Sequence, residues 1–395
     1  MKISISCFII FLFFSCTDQK LNIENKKRGQ LTSTMDLKQV KTKSFLLDTD
    51  TAPKPLYIQI INDSLKNKQL TFINNYNNSI YFYNYETTNF IKKVTFDQNG
   101  PDAVKGPMGY HIKNIDSIYI FTKLSEITLV NHQGIVLDRA SLIGGIDYRK
   151  SPSEWAYVYP SYYVETVTPF IDTPSGLLLT GQFEGNIKDS IIDKFKFTAN
   201  IDYKLDKINY MHTYPSSLYG NGIVWGGAFL GQVFPLLHPE GDKLIYSFPV
   251  SHDLYIADIK GNTYEKIYAG SNFAGTISSL EKKDGRSNEK IRSNFVRQDM
   301  YAAIIYDRFR KIYYRFLRRA IPNAPITTSW KDKEIAVIIM DENFNYLGET
   351  TLGTERECHW QNSFVTEEGL NVEYLGMDDI EEVNLTLKIF IPKSI

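Results

Sequence analysis

Residues 232–268, QVFPLLHPEGDKLIYSFPVSHDLYIADIKGNTYEKIY, contain four short apolar runs separated by turn residues. The runs are Gln232–Leu237, Lys243–Phe248, Asp253–Asp258 and Tyr264–Tyr268. Proline, glycine, asparagine and aspartate lie between them, and these residue types favour tight turns. Runs of this length that are rich in tyrosine, phenylalanine and isoleucine predict β-strands joined by hairpins. The segment therefore predicts a four-stranded antiparallel unit.

The same four-run pattern recurs over most of the chain. The further groups cover residues 57–96, 110–138, 163–212, 301–350 and 362–390. Tyr163–Ile171 begins the third unit, and the last group has only three runs, which Val40–Leu47 can complete. No proline- or serine-rich linker divides the chain, and repeated four-stranded units are typical of propeller blades. We therefore expect an all-β, six-bladed β-propeller closed by an N-terminal strand, with a β-sandwich or two smaller β domains as alternatives.

The charge of the chain is almost balanced, with 44 Lys and Arg residues against 45 Asp and Glu residues. Proteins that bind nucleic acid through its phosphates need a basic surface, because displaced counterions supply much of the affinity. This composition provides no such surface, so we expect no nucleic-acid partner. The 26 tyrosines and 24 phenylalanines favour strands over helices.

The N-terminus has the features of a secretory signal. A basic residue precedes an apolar run at residues 3–14, and Ser15-Cys16 follows the run. The run has about twelve residues, too few for the roughly 20 that a membrane-spanning helix needs. Phe13-Phe14-Ser15-Cys16 resembles the lipobox of bacterial lipoproteins, although Leu is commoner at the first position and a small residue at the second. A buried core helix is the alternative.

The lipobox resemblance implies that the chain is cut before Cys16 and held to a membrane by lipid on this cysteine. The relaxed box resembles those of Bacteroidetes lipoproteins, whose surface-exported members carry an acidic run after the cysteine. Only Asp18 stands there, so we expect an outer-membrane anchor that faces the periplasm. Residues 1–15 are then a signal peptide, residues 16–35 the lipidated cysteine and a flexible tether, and residues 36–395 a single propeller domain.

Four stretches of the chain resemble a known family. They are Leu47–Thr51, Ser247–Pro249, Tyr306–Phe316 and Ile339–Phe344. The family is the Bacteroidetes lipoprotein family called domain of unknown function 4221, which is itself similar to TolB-like six-bladed propellers. The resemblance implies this fold over most of the chain. It implies no activity and carries over no catalytic residue.

The linear motifs that mark common catalytic and cofactor sites are absent from the sequence. Gly226–Gly231 is glycine-rich but lacks the Gly-Lys-Ser/Thr ending of a phosphate loop. Cys358 is left alone once Cys7 is cleaved off and Cys16 acylated, so we expect no disulfide. The six histidines lack metal-ligand spacing. We therefore expect no catalytic residue, cofactor or metal, with a metal site assembled from several blades as the alternative.

Six basic residues lie close together at positions 308–319, in the predicted first hairpin of the fifth unit. Asp307 and other local carboxylates can offset their charge. Because the charges fall on both faces of the hairpin, we expect a solvated strand edge, with an anion site as the alternative.

The predicted connections differ in length on the two faces of the ring. In a blade of strands a to d, counted outward from the axis, the b–c and d–a connections leave one face and the a–b and c–d turns leave the other. Several connections of the first kind are long, and we name their side the long-loop face. They are Asp97–Gly109, Ser141–Tyr162, Thr213–Gly231, Ala269–Met300, Arg318–Lys333 and Leu352–Gln361.

Large aromatic residues are concentrated in these connections. All four tryptophans and one histidine lie in them, and a second histidine lies in a b–c turn. Long loops on a rigid scaffold often carry binding residues, and tryptophan offers both apolar area and a polar N–H group. The candidate ligand-binding residues are Trp155, Trp225, Trp330, Trp360, His252 and His359. The alternative is that they pack the loops onto the ring and seal its channel.

The sequence leaves two classes of function open. The first is a membrane-tethered binding or scaffold protein that meets an unknown peptide, glycan or protein ligand at the long-loop face. The second is an extracytoplasmic enzyme, a lyase or hydrolase, whose site is assembled from several blades. Acid-base chemistry would require at least two titratable side chains that converge on one point near the axis.

We expect Cys16→Ser to release the protein from the membrane fraction. The mutant cannot be lipidated, and no other segment of the sequence is long and apolar enough to hold the chain in a bilayer. The measurement is fractionation of cells that express the chain with its signal intact, with a high-salt wash. Retention of the whole mutant population in washed membranes would contradict the lipid anchor.

Overall fold

The computed structural model describes residues 20–50, 57–147, 149, 155–376 and 383–395. Within these residues, six four-stranded antiparallel sheets are arranged as the blades of a propeller, and a two-stranded ribbon lies beside them. The predicted all-β, six-bladed propeller is therefore confirmed. Cys16, the predicted lipidation site, lies outside the described residues.

The strands follow the chain in blade order, and the first strand of each blade lies nearest the axis. The two strands that precede the first complete blade are β1 (Asn22–Ile23) and β2 (Met35–Leu46). Blade 1 contains β3 (Ile58–Asn62), β4 (Lys68–Asn74), β5 (Ser79–Asn84) and β6 (Phe90–Thr95). Blade 2 contains β7 (Pro107–Asn114), β8 (Ser117–Thr122), β9 (Glu126–Val130) and β10 (Val136–Ser141). Blade 3 contains β11 (Ile171–Thr173), β12 (Gly176–Thr180), β13 (Lys196–Ile201) and β14 (Ile208–Thr213).

The second half of the ring repeats the arrangement. Blade 4 contains β15 (Phe234–Leu237), β16 (Lys243–Ser247), β17 (Asp253–Asp258) and β18 (Glu265–Tyr268), and β19 (Ile277–Ser278) follows it. Blade 5 contains β20 (Met300–Asp307), β21 (Ile312–Arg318), β22 (Glu334–Met340) and β23 (Tyr346–Thr354). Blade 6 takes β24 (Cys358–Thr366), β25 (Gly369–Tyr374) and β26 (Asn384–Ser394) from this half.

Short helices interrupt the long connections. They are α1 (Asp189–Ile192), α2 (Ser216–Tyr219) and α3 (Asn288–Arg297). The hydroxyl of Ser287 caps α3 by accepting a hydrogen bond from the backbone N–H of Lys290. At the other end of the helix, the side chains of Phe295 and Val296 are buried. Among the described residues, no helix has the length and apolar character needed to cross a bilayer.

The connection between blades 2 and 3 crosses the axis of the ring. Tyr163–Ile171 was expected to be a strand, but β11 begins only at Ile171. The hydroxyl of Thr166 accepts the N–H of Ile58 in blade 1 at 2.8 Å and donates to Asn362 in blade 6 at 3.0 Å. These bonds to two other blades compete with strand pairing, so the segment plugs the channel instead of extending blade 3.

The ring is closed by pairing between the two ends of the described chain. β2 runs antiparallel to β26, with Met35 opposite Ser394 and Leu46 opposite Asn384. Blade 6 therefore has three strands from the C-terminal part of the chain and its outermost strand from the N-terminal part. The predicted closure by Val40–Leu47 is confirmed, and the closing strand begins earlier than expected.

Side chains of β2 attach blade 6 to both of its neighbours. Phe45 is fully buried and packs edge-on against Tyr83 of blade 1, with ring centroids 5.8 Å apart. Leu37 is buried near the other end of the strand, and its N–H donates to Thr350 of blade 5 at 2.8 Å. Full burial of such an apolar side chain stabilises the fold by roughly 1.5–3 kcal/mol. Loss of β2 would therefore open the ring at two boundaries.

Residues 20–34 were expected to form a flexible tether, but they pack against blades 4 and 5. β1 pairs with β19. The amide nitrogen of Asn25 donates to the carbonyl oxygens of Ser271 at 2.7 Å and Ala274 at 2.9 Å, and its amide oxygen accepts the hydroxyl of Tyr268 at 2.7 Å. The segment is held because its polar groups find partners in the connection after blade 4. The folded domain therefore begins before residue 36.

Arg315 is completely buried, although the cluster at residues 308–319 was expected to form a solvated edge. Its position on β21 turns the guanidinium toward blade 4, where a serine hydroxyl and three carbonyl oxygens accept hydrogen bonds at 2.9–3.0 Å. These acceptors belong to Ser247, Ser251, His252 and Ala269. Burial lowers the pKa of Arg315 to about 10. The side chain fastens blade 5 to blade 4.

We expect Asn25→Ala to loosen residues 20–34 without unfolding the ring. Loss of three hydrogen bonds to partly buried groups should cost the docked segment about 2 kcal/mol, which raises its open population roughly 30-fold. The measurement is the rate of trypsin cleavage at Lys26, Lys27 and Arg28 under native conditions. Glu24→Ala, which removes an exposed side chain next to the same cleavage sites, is the control. Equal cleavage rates for the two variants would contradict docking through Asn25.

Candidate functional site

The connections place the long loops on one face of the ring, as predicted from strand direction. The connection at residues 269–299 is the longest, and those at 142–170 and 214–233 follow. The predicted loop Leu352–Gln361 is wrong, because β23 extends to Thr354 and β24 begins at Cys358. His359 and Trp360 therefore lie in the innermost strand of blade 6 and not in a loop.

Three of the four candidate tryptophans are buried. Trp155, Trp225 and Trp360 have exposed fractions of 9%, 4% and 2%. The indole N–H of Trp225 donates to the carbonyl oxygen of Leu218 at 2.8 Å, so its polar atom is used within the protein. Trp330 is half-buried and borders the solvent. The three buried tryptophans therefore pack within the protein. Of the four candidates, Trp330 is the one that a ligand could contact.

Arg318 lies among the aromatic rings of this region. Its guanidinium carbon is 4.7 Å from the ring centroid of Phe295, 5.6 Å from that of Trp330 and 5.9 Å from that of Trp360. Nε and Nη2 donate to the carboxylate of Glu355 at 2.5 and 3.1 Å. The bidentate pair leaves little of the guanidinium for an external anion. Arg318 is therefore a structural link between the long connections and blade 6.

The other charged groups near Arg318 are also engaged within the protein. The ammonium of Lys333 donates to three carbonyl oxygens at residues 295–298, over 2.6–3.3 Å, and burial lowers its pKa to about 7. Nδ1 of His359 lies 2.7 Å from a carboxylate oxygen of Glu373. Titratable groups thus converge near the axis, and their partners are one another and the backbone. This arrangement is that of a buried structural network.

His252 holds the N-terminal segment. Only 4% of its surface is exposed, Nδ1 lies 2.8 Å from the Tyr301 hydroxyl, and Nε2 lies 3.2 Å from the carbonyl oxygen of Ile23. Burial lowers the pKa of His252, which favours the neutral ring at neutral pH. The prediction that His252 lies in a b–c turn is correct, but its side chain is directed into the protein and not toward a ligand.

Glu165 lies in the segment that plugs the axis. Part of the residue is accessible, but carboxyl oxygen Oε2 is buried and has no hydrogen-bond partner among the described residues. Burial raises the pKa of Glu165 to about 7, although His359 and Arg318 lie close enough to oppose the increase. The carboxyl group is therefore largely protonated at mildly acidic pH.

An apolar groove of about 450 Å³ opens on the long-loop face where three connections of blades 3, 4 and 5 meet. Phe229, with 59% of its surface exposed, forms one wall, and its ring lies 4.9 Å from that of Phe295. Ile291 and Trp330 form the other walls, and Arg292 stands at the edge. We name this feature the Phe229 groove. It can accept an apolar group but offers few fixed polar partners.

A polar cleft of about 590 Å³ lies on the same face between blades 1 and 2. Among the described residues, its lining has amide, phenol and cationic groups and no carboxylate. These groups belong to Asn75, Tyr76, Asn78, Gln98, Asn99, Lys105, Lys123 and Arg149. Among the described residues, Lys105 and Lys123 have no carboxylate within 4.0 Å. We name this feature the polar cleft.

Local backbone geometry sets the floor of the polar cleft. Gly106 has a φ of +63°, and a Cβ atom there would lie 2.5 Å from Cδ of Lys123. Glycine therefore lets the Lys123 stem lie directly on the backbone, where the N–H of Lys123 donates to the carbonyl oxygen of Gly106 at 2.9 Å. Asn78 is buried and donates to the carbonyl oxygen of Val104 at 2.5 Å. These bonds hold the two sides of the cleft together.

Comparison with known proteins identifies the family. Residues 34–351 match the family described as domain of unknown function (DUF4221). The chain belongs to the DUF4221 family. The resemblance predicted from the four sequence stretches is therefore confirmed.

Two solved structures resemble this DUF4221 chain over most of its length. A family member from Bacteroides vulgatus has a TM-score of 0.71 and 17% identity, covering 92% of this chain and 99% of its own. A Bacteroides fragilis protein described as exported has a TM-score of 0.50 and 11% identity, covering 91% and 96%. Identities this low support the fold and not a shared ligand. No curated protein matches the chain.

One group of side chains in the described part of the DUF4221 chain has metal-ligand spacing. His238, Glu240 and Asp242 have ligand atoms within 4.8 Å of one another. They lie in one a–b turn of blade 4, on the face opposite the long loops, and the two carboxylates are exposed. The N–H of Glu240 already donates to Nδ1 of His238 at 3.3 Å. The group is a solvated turn and not a site assembled from several blades.

We expect Glu165→Gln to stabilise the protein at pH 8 and to have little effect near pH 4. The folded pKa of about 7 lies above the usual 4.5, so the folded state binds the proton more tightly and loses stability as pH rises from 4.5 to 7. The loss amounts to about 3 kcal/mol, and the introduced glutamine avoids it because its amide does not titrate. The measurement is the difference in urea unfolding free energy between variant and parent across this range. A difference that does not change with pH would contradict the raised pKa.

Proposed function

We propose that this DUF4221 protein is a lipid-anchored, extracytoplasmic binding protein. Its ligand is anionic and rich in hydroxyl groups, such as a uronic-acid oligosaccharide, and binds in the polar cleft. The observation that carries the proposal is a cleft with lysines, amides and an exposed tyrosine, and with no carboxylate among the described residues that line it.

The charges of the polar cleft favour an anionic ligand. Lys105 and Lys123 have no carboxylate partner within the described residues, and both are exposed at the rim. Arg149 contributes a third cation, with Asp147 3.5 Å from its Nε. An unpaired lysine can give a charge-assisted bond to a carboxylate or sulfate without first breaking an ion pair. The cleft is therefore positive although the whole chain has a formal net charge of −1.

The remaining groups suit a ligand that carries many hydroxyl groups. Asn75 and Asn99 are exposed, and a side-chain amide can both donate to and accept from a hydroxyl. Tyr76 has 77% of its surface exposed and presents a flat ring at the edge. Such a ring offers apolar contact area to the C–H face of a sugar together with a polar hydroxyl. A purely apolar peptide would leave the amides and cations unpaired at a cost.

The lipid anchor supports a function outside the cytoplasm. The lipobox-like segment ends at Cys16, and the folded domain is in place from residue 20. The protein would thus sit close to its membrane. Binding is favoured over catalysis because Arg318, Lys333 and His359 already bond to groups within the protein. By contrast, Lys105 and Lys123 of the polar cleft have no carboxylate partner among the described residues.

We expect a galacturonic-acid oligomer to bind the water-soluble chain that begins at residue 17. Lys105→Ala and Lys123→Ala should each weaken binding roughly tenfold, because each removes one charge-assisted bond. Affinity should also fall with added salt, since exposed charges are screened. The measurement is titration calorimetry at two salt concentrations.

Lys260→Ala is the matched control, because Lys260 is an exposed lysine in a c–d turn on the opposite face. It should leave the affinity unchanged, and a neutral glucose oligomer of equal length should bind far more weakly. Absence of binding by the acidic oligomer, or equal losses in Lys260→Ala and the two cleft variants, would overturn the proposal.

A further inference from the structure

The Phe229 groove presents apolar side chains to solvent at one rim of the long-loop face. Phe229 follows Gly226 and Gly227, both with positive φ, in the connection between blades 3 and 4. Ile326 in the neighbouring b–c connection is also 44% exposed. Exposed apolar side chains grouped at one place mark an interaction surface more often than scattered ones do.

The described chain begins beside this groove. The N–H of Leu21 donates to the hydroxyl of Ser279 at 2.9 Å, and β1 continues along β19. The next residue, Leu280, donates its N–H to the carbonyl oxygen of Val224 at 2.7 Å. Its side chain lies against Gly226, where an added Cβ would approach the Leu280 methyl to 2.5 Å. A continuous set of contacts thus links the first described residues to the groove.

The short spacing to the predicted anchor limits where this rim can be. Lys20 is four positions after Cys16 along the chain, with three residues between them. Even fully extended, four residues span at most about 14 Å, less than half the thickness of a bilayer core. If lipid on Cys16 lies in a membrane, Lys20 lies within about 14 Å of the anchor, and the contacts from Leu21 to Gly226 then bring the rim with the Phe229 groove near the membrane surface.

The charge of the rim suits an anionic lipid surface. Residues 281–292 contain five basic and three acidic side chains, a net charge of +2. The basic residues are Lys282, Lys283, Arg286, Lys290 and Arg292. Basic side chains near a membrane that contains acidic phospholipid gain attraction within a Debye length. Apolar residues flanked by basic ones are the composition of surfaces that insert shallowly at the interface.

We propose that the rim formed by the Phe229 groove and residues 281–292 is a membrane-contact surface for bilayers that contain acidic phospholipids. Phe229 inserts among the headgroups, and the basic residues contact the lipid phosphates. The lipid anchor and this rim would fix the orientation of the ring. The polar cleft lies half a turn of the six-bladed ring away and stays open to its ligand. The position of the rim near the membrane surface rests on the proposed lipid anchor at Cys16.

The test uses the water-soluble chain from residue 17 onward, so that its outcome does not depend on lipidation. Sedimentation with phosphatidylcholine vesicles that contain phosphatidylglycerol should show weak, salt-sensitive binding. Phe229→Ser should reduce the partition coefficient about tenfold, which corresponds to loss of one buried aromatic side chain. The paired change Lys290→Ala and Arg292→Ala should abolish the preference for vesicles with phosphatidylglycerol.

Phe309→Ser is the matched control, because Phe309 is a 39% exposed phenylalanine in an a–b turn on the opposite face. It should leave vesicle binding unchanged. Absence of vesicle binding, or equal losses for Phe229→Ser and Phe309→Ser, would overturn the inference even if Cys16 is lipidated. Failure of Cys16→Ser to release the full chain, with the vesicle results as expected, would overturn only the anchor.

Discussion

The pairing of β2 with β26 is the constraint on which the rest of the structure depends. A propeller blade has two large faces, and each needs a neighbour to cover it, so an open ring would leave two faces in water. β2 closes the ring with strand hydrogen bonds and places Leu37 and Phe45 at the two boundaries of blade 6. Antiparallel pairing within each blade alternates the strand directions. All b–c and d–a connections consequently meet on one face.

The buried polar network shows what closure makes possible near the axis. Arg315 joins blades 4 and 5, and Arg318 with Glu355 links the end of β21 in blade 5 to the connection that leads into blade 6. Such groups are costly to bury unless their partners are held in place. Thr166 contributes bonds to blades 1 and 6 from a segment that crosses the channel. The centre of the ring is therefore filled by structural contacts, and open surface is left at the rims.

The sequence predicted the blades and their closure because both depend on local patterns. Short apolar runs such as Lys243–Phe248 and the turn residues between them indicate hairpins wherever they occur. The tether over residues 17–35 was wrong for the part from residue 20, because Asn25 binds carbonyl groups more than 240 positions away in the sequence. The strand at Tyr163–Ile171 failed for the same reason, since Thr166 prefers partners in distant blades.

The candidate residues were harder to predict than the fold. The tryptophans were chosen by type, but burial of Trp155, Trp225 and Trp360 depends on how loops from different blades meet. The polar cleft was missed because Tyr76, Lys105 and Lys123 come from three connections that share no motif. One local signal existed in Lys105-Gly106, a basic residue before a glycine at the start of β7. Its role depends on the next strand of the same blade, because Lys123 follows β8 and lies against Gly106.

We propose that one face of the ring has two separate tasks, membrane contact on one rim and binding of an anionic ligand on the other. Hydrogen–deuterium exchange of the soluble chain, measured alone, with acidic oligosaccharide and with acidic vesicles, tests this separation most directly. The oligosaccharide should slow exchange at residues 75–78, 98–106 and 123–125, and vesicles should slow it at residues 226–231 and 288–293. The proposal is contradicted if both additions protect the same segments, or if neither addition protects any of these segments.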